Sequence, residues 1–375
     1  MEMRPIWIFS FLIILGMFAD RIIFVIFPNY LIEKGFSASQ IGLIFSFAGI
    51  ALVISRLLVG RLSDFFGRKR LMSLGLLLYS ASLASFPFLT SLLQFVLFKG
   101  LKEFSENLTS TLQDALIADS FPKRIRAKVV SKLGSLYPLS RAGSVLIGIL
   151  ITSIATLAFG FWIASFFIFL SFLIFLTFPE KVRKQSFRIR MKRPSRPLLL
   201  IAGISFFMSL NFGVAYFPGF FILAKNLGIS TPQLFSLLLP AYLLSSGMAW
   251  WSGSWIDRIG RRSSMLLFGL SFSLATFFYA LSSTWLSFFA VLMVISLSYY
   301  LWRIGFKTSL YDLTQKPERG GQIGFVKMLT GFGDILAPLM GGLVIDLLSL
   351  QAAFYLAGLF GLMACCLNLI LIKFR

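Results

Sequence analysis

The ten residues from Gly60 to Lys69, GRLSDFFGRK, recur as GSWIDRIGRR from Gly253 to Arg262, 193 residues later in a chain of 375. Without a gap at the same offset, Gly35 meets Gly228, Ser37 meets Ser230, Gln40 meets Gln233, Met72 meets Met265 and Ser80 meets Ser273. Chance glycine matches do not keep register over such a span. The chain is one unit written twice, and its fold has to be built from two copies of the same topology.

What that unit is made of follows from its apolar content. Hydrophobic residues make up 58% of the chain, charged residues 13%, and 44 positions are Phe, more than the core of a soluble domain of this length needs. Stretches long enough to cross about 30 Å of hydrocarbon lie near 5–28, 40–59, 71–89, 92–114, 129–152, 157–177, 198–222, 232–251, 264–281, 285–308, 323–346 and 351–372. The expected fold is an all-α membrane protein of twelve transmembrane helices, six per repeat, in two pseudo-symmetric bundles at 1–178 and 198–375 joined by a linker at 179–197. The linker breaks the apolar pattern with Pro179, Pro194 and Pro197 and eight basic residues between Lys181 and Arg196; it reads as a solvated tether near anionic headgroups.

A net charge of +21 would suit a nucleic-acid partner, but its distribution does not. The loops on one side carry twenty-four basic residues, including Arg68, Arg126 and Arg262, against Lys34 and Lys225 on the other. That asymmetry predicts both termini in the cytoplasm, places the protein in the cytoplasmic membrane, and accounts for the charge without a polyanion. The first apolar segment follows Met1-Glu2-Met3-Arg4 and lacks a small-residue cleavage site before Glu33, so it reads as a retained helix. With no His, and with Cys365 and Cys366 adjacent in one helix, the sequence offers neither a metal-ligand set nor a disulfide framework, and no cofactor is called for.

The repeated motif falls where one helix ends and the next begins. Gly60 and Gly253 let helices approach closely, Gly67 and Gly260 supply turns that tolerate positive φ, and Asp64 and Asp257 are placed for a helix N-terminus or a nearby Arg. A turn with positive-inside charges would explain Arg68 and Arg261 but not the fixed Gly-x3-Asp-x2-Gly-Arg spacing in both halves. That spacing, twice in a twelve-helix chain with a basic central loop, resembles the major facilitator superfamily of secondary transporters. The first copy departs from the family pattern at Phe65, where an Arg is usual, and the second at Trp255. The resemblance implies a latch in which Asp64 and Arg68 engage Asp119 at the end of helix 4 and the start of helix 11 around Gly320, Gly321 and Gly324. Asp257, Arg261 and Asp312 form the equivalent latch in the second half.

Ionisable residues at membrane depth are costly and are functional candidates. Helix 4 carries Lys99, Lys102, Glu103 and Glu106 within an arc of about 100°, and Thr109, Ser110 and Gln113 extend that face. Helix 10 carries Ser296, Tyr299, Tyr300, Arg303 and Lys307, helix 1 Asp20 and Arg21, and helix 7 Ser205, Asn211 and Tyr216. The resemblance makes helices 1, 4, 7 and 10 the cavity-lining set. Lys99 with Glu103 and Lys102 with Glu106 are also i,i+4 pairs, which offers a purely structural alternative. Arg141 and Asp334 are related by the repeat offset and either gate the pathway, hold substrate or pack statically. A carboxylate that loses and regains its proton as access alternates is required for coupling, and Glu106, Glu103, Asp20 and Asp334 are the candidates in that order. Helix 11 holds Gly331-x-Gly333-x4-Pro338-x2-Gly341-Gly342. It is similar to the Gly/Pro-rich motif that drug–proton antiporters carry in helix 5, or else a small-residue packing face; helix 5 here has only the diluted set Gly134, Pro138, Gly143 and Gly148.

The resulting expectation is a monomeric secondary transporter that moves a small molecule by alternating access, with proton-coupled efflux of amphipathic compounds as the leading reading. The alternative is uptake or facilitated transport of a small organic anion held by Lys99, Lys102, Arg141 and Arg303. An enzyme would need a nucleophile with a base or a metal set, for which no motif is present, and a channel would not need the twofold latch.

Overall fold

The structure is a computed structural model that describes residues 4–121, 129, 132–134, 136–179, 194–314 and 319–373. Most of the linker, 180–193, and the side chains of Asp64 and Arg319 lie outside the described residues, as do the surroundings of Gly60, Gly253 and Gly320. Among the described residues the chain is helical and carries no strand.

The long helices are α1 (Arg4–Glu33), α2 (Ala38–Phe66), α3 (Arg68–Ser85), α4 (Leu92–Ser120), α5 (Leu136–Ile154), α6 (Leu157–Leu176), α7 (Arg196–Val214), α8 (Thr231–Ile259), α9 (Arg261–Ala280), α10 (Trp285–Leu313), α11 (Arg319–Leu347) and α12 (Leu350–Lys373). After Val214, α7 passes through an irregular turn with Phe217 at φ −120°, ψ 102° before a last helical stretch, Phe221–Asn226. Ten of the helices are long and apolar enough to span a bilayer. Of the remaining two, α4 is set apart by the four charges in its middle, and part of α8 lies outside the described side chains.

The repeat is visible in the backbone. The glycines with positive φ are Gly35 (82°), Gly67 (81°), Gly228 (70°) and Gly260 (91°), two pairs at the 193-residue offset, each at a turn between helices where an L side chain would be strained. The loop before α4 and the loop before α10 end in matching capping boxes. Ser91 accepts from the Gln94 amide and Thr284 from the Ser287 amide, and each partner side chain accepts from the cap's own N–H.

Packing follows the same plan. The chain divides into two compact units, one made of Met1–Tyr30, Phe47–Phe187 and Thr231–Leu239, the other of Leu31–Ser46, Arg188–Ser230 and Pro240–Arg375. In the first, α3 packs against α4 and α6; in the second, α9 packs against α10 and α12, while α7 packs against α11 and α12. Each unit is pinned by a buried aromatic quartet. Phe27 lies 4.8 Å from Phe86 and 6.2 Å from Phe161, with Phe95 completing the set; Phe220, Tyr279, Phe288 and Phe354 occupy the equivalent positions, Phe220 at 5.0 Å from Phe288. Helix association in lipid draws on van der Waals packing rather than on the exclusion of water. Each such ring pair contributes about 0.5–1.5 kcal/mol beyond its area.

The first turns of α2 and of α8, equivalent in the repeat, each belong to the unit built mainly from the other half of the sequence. In the second unit the start of α2 is seated on the end of α11. Asp346 accepts from the Ala38 and Ser39 amides at 3.2 and 2.8 Å, capping α2, and Ser46 Oγ accepts from the Leu339 amide at 3.1 Å. Gly42 faces the Pro338 carbonyl and Gly342 the Ala38 carbonyl, an approach that leaves no room for a Cβ. In the first unit the Phe235 ring of α8 lies against Gly148 of α5.

Candidate functional site

Within the first unit α4 brings four charges to the interior. Lys99 and Lys102 are 5% and 3% exposed. Glu103 bridges them, accepting from Lys99 Nζ at 2.7 Å and from Lys102 Nζ at 3.2 Å, and Lys102 also donates to Glu106. Both ammonium groups lie over aromatic rings, Lys99 at 4.9 Å from the centre of Phe27 and Lys102 at 5.5 Å from that of Tyr79. The spacing i, i+3, i+4, i+7 puts all four on one stripe, and burial of that stripe is tolerable because each charge has a partner of opposite sign.

In front of this network lies a partly open cavity of about 130 Å³, lined by α1, α3, α4, α5 and α6. Asp20 and Glu106 line it, with Tyr79, Thr109, Ser110, Gln113, Tyr137 and Ser171, and an apolar wall of Leu12, Ile13, Met17, Leu76 and Ile168. Arg21, Lys99, Lys102 and Arg141 are not in its lining. Arg21 Nε reaches Asp20 at 3.3 Å and its guanidinium stands 5.5 Å from the Phe24 ring. Asp20 and Glu106 therefore face the cavity, whereas Glu103 and these four cations do not line it.

The residues proposed from sequence in the second half meet different surroundings. Asn211 is fully buried and accepts from Thr276 Oγ1 at 3.3 Å. Tyr299 stacks with Phe212 at 5.3 Å and Trp302 at 6.0 Å and meets Phe272 at a tilt at 5.4 Å. Arg303 is exposed and Tyr300 half-buried. Asp334 on α11 accepts from Ser209 of α7, and one helical turn away Thr330 donates to Ser205 at 2.8 Å.

At the helix ends carrying the repeated motif, Arg68 pairs with Asp119. Arg261 donates to both carboxylate oxygens of Asp312, at 2.6 and 2.8 Å, and to Asp257 at 3.2 Å. Both Arg–Asp pairs are 51 residues apart in sequence, and one maps onto the other at the repeat offset.

A duplicated six-helix topology with matched turns, matched quartets and matched Arg–Asp pairs narrows the family, and the sequence itself matches the Major Facilitator Superfamily over residues 9–308 and again over 201–375. The chain belongs to that family. It is a multi-pass membrane protein with a transporter fold. No curated protein sequence matches it. Among solved structures it is similar to the nucleoside transporter NupG, at 15% identity and a TM-score of 0.80, with 100% of each chain covered. It is also similar to a bacterial homologue of the human lysosomal transporter Spinster, in an inward-facing unoccupied state, at 14% identity and a TM-score of 0.78, covering 99% of this chain and 97% of that one. The D-xylose–proton symporter aligns at 14% identity and a TM-score of 0.77, over 100% of this chain and 98% of the other.

Three polar cavity residues were not singled out from the sequence, Tyr79, Tyr137 and Ser171. Tyr79 could have been found, because the repeat places it opposite Phe272 and the two halves differ there by one hydroxyl. Tyr137 and Ser171 lie on α5 and α6, where nothing in the pattern separates a cavity-facing polar residue from one bonded to its own helix.

Proposed function

We propose that this chain is a proton-coupled secondary transporter of the cytoplasmic membrane. It exports a small amphipathic compound by alternating access of two six-helix bundles, 1–178 and 198–375, joined by the linker 179–197, with both termini in the cytoplasm. The observation that carries this reading is the position of Asp20 and Glu106, carboxylates at mid-helix depth that front a largely apolar cavity in a chain of a transporter family. A carboxylate there serves either a proton or a solute, and antiport follows if one displaces the other. Glu106 is the leading coupling residue, followed by Glu103, Asp20 and Asp334. Glu106 ends the stripe on the cavity side and shares Lys102 with Glu103, so gain or loss of its proton redistributes one ammonium between two acids. The Arg68–Asp119 and Arg261–Asp312 pairs, with Asp64 and Asp257, act as latches that hold helix ends during the cycle.

Uptake of an organic anion draws less support, since Lys99 and Lys102 are committed to glutamates and stand behind the cavity wall. Flux in proteoliposomes under an imposed pH gradient separates these readings. Solute movement against the direction of the proton gradient is the expected result; movement with protons overturns antiport, and indifference to the gradient overturns proton coupling.

A further inference from the structure

The cavity in the first unit is unusual in what its polar groups still offer. Thr109 Oγ1 donates to the Glu106 carbonyl at 2.8 Å, Ser110 Oγ to the Asn107 carbonyl at 3.1 Å, and Ser171 Oγ to the Phe167 carbonyl at 2.9 Å. Each hydroxyl has spent its only proton on its own helix, and what remains to the cavity is lone pairs. Asp20 and Glu106 add carboxylate oxygens, which only accept when ionised. The lining is thus rich in acceptors, with the Gln113 amide and the Tyr137 hydroxyl its possible donors; Lys102 donates to Glu106, and Arg21 is ion-paired with Asp20.

A second observation is independent of the acids. The Tyr79 side chain, 3% exposed, lines the same cavity, and its Oη is buried with no hydrogen-bond partner among the described residues. A buried hydroxyl left unpaired is destabilising, so a ligand whose N–H groups reach Oη by a small shift of the ring recovers that cost. The volume sets the scale of such a ligand. A dry cavity of about 150 Å³ admits a benzene ring, so about 130 Å³ fits one ring or an equivalent alkyl body against Leu12, Ile13, Met17, Leu76 and Ile168.

We propose that this cavity binds a small organic cation whose charged end carries several N–H donors, an ammonium or guanidinium on an apolar body of about one ring. The N–H groups donate to Asp20, Glu106 and the spent hydroxyls, and the body lies on the apolar wall. The proposal rests on the transporter reading only in taking the bound cation as the transported solute; binding itself does not depend on it.

The test is thermal unfolding of the purified full chain in detergent with benzylamine, benzyl alcohol or benzoate at matched pH and ionic strength, since a ligand of the folded state raises the midpoint. Benzylamine is expected to raise it in a saturable way, benzyl alcohol less, and benzoate not at all. Asp20→Asn and Glu106→Gln should each raise the half-saturating amine concentration tenfold or more, and Tyr79→Phe a few-fold. Stabilisation by benzoate equal to that by benzylamine overturns the proposal, as does an amine effect undiminished in Asp20→Asn. Should Glu106→Gln fail to fold, Asp20→Asn and Tyr79→Phe decide, because both leave the Lys–Glu network intact. Saturable amine binding without transport of benzylguanidine in proteoliposomes supports the site and overturns only the bound cation's being the transported solute. Gradient-driven flux of another solute, with no binding of benzylamine, sinks the cation proposal alone.

Discussion

The two halves of this molecule are nearly the same machine around two different interiors. Shifted by the repeat, Lys99, Lys102, Glu103 and Glu106 of α4 become Leu292, Ile295, Ser296 and Tyr299 of α10, and Asp20 becomes Gly213. Tyr79, Thr109 and Gln113, which line the cavity of the first unit, become Phe272, Trp302 and Phe306. Those three rings form a column with Tyr299, with Trp302 at 5.1 Å from Phe306 and 6.0 Å from Tyr299. Where the first unit keeps charge around a space, the second fills the equivalent positions with stacked aromatic rings. The turns, capping boxes and Arg–Asp pairs did not diverge. Duplication kept the turns, caps and ion pairs at the helix ends, while the two interiors diverged.

That contrast breaks most sharply if the α4 charges are removed singly. Lys102→Met leaves Glu106 without its ammonium and Glu103 with one of two, and breaking a buried pair costs about 3–5 kcal/mol; the check is thermal unfolding. Substituting all four positions with their α10 equivalents (Lys99→Leu, Lys102→Ile, Glu103→Ser and Glu106→Tyr) leaves no unpaired charge, and should restore most of the lost stability while abolishing solute flux. A single variant as stable as the parent would mean the stripe is not a network.

The shared parts should respond alike in both halves. Gly67→Ala and Gly260→Ala each force an L residue into the positive-φ region, at a cost of about 1–3 kcal/mol, and matched losses of melting temperature are expected. Ser91→Ala and Thr284→Ala remove equivalent caps, each worth about 1 kcal/mol, again with matched shifts. The smallest effect is expected at the Arg–Asp pairs. In a double-mutant cycle, Arg68 with Asp119 should couple by less than about 1 kcal/mol. The more exposed Arg261–Asp312 pair should couple more weakly still and fade with added salt.

The fold was legible because its determinants are local. Apolar length, turn glycines and the repeat offset specify the helices, and the structure extends them beyond the apolar stretches; α2, for example, continues past 59 to Phe66 with Arg61 in its last turns. The aromatic quartets were equally present in the sequence, with Phe27, Phe86, Phe95 and Phe161 matched by Phe220, Tyr279, Phe288 and Phe354, but 44 Phe residues hide eight. Which side of the α4 stripe faces a space was not legible. The same i,i+4 spacing serves a buried pair and a cavity wall, and it takes the packing of α3 between α4 and α6 to leave Glu106 on the cavity and Lys102 off it. Nor does spacing reveal that Asp346 caps α2 from a position 307 residues away.

The central claim is that solute and proton are handled by the first unit's interior and not by its aromatic counterpart. The most direct measurement is the release of protons, read by an entrapped pH-sensitive dye, when benzylguanidine is added to proteoliposomes holding the parent chain, Glu106→Gln or Tyr299→Phe. Benzylguanidine stays charged at neutral pH and does not leak across lipid as a free base. The account predicts proton movement with the parent and with Tyr299→Phe, and none with Glu106→Gln. Exchange that survives Glu106→Gln but is lost in Tyr299→Phe would contradict it.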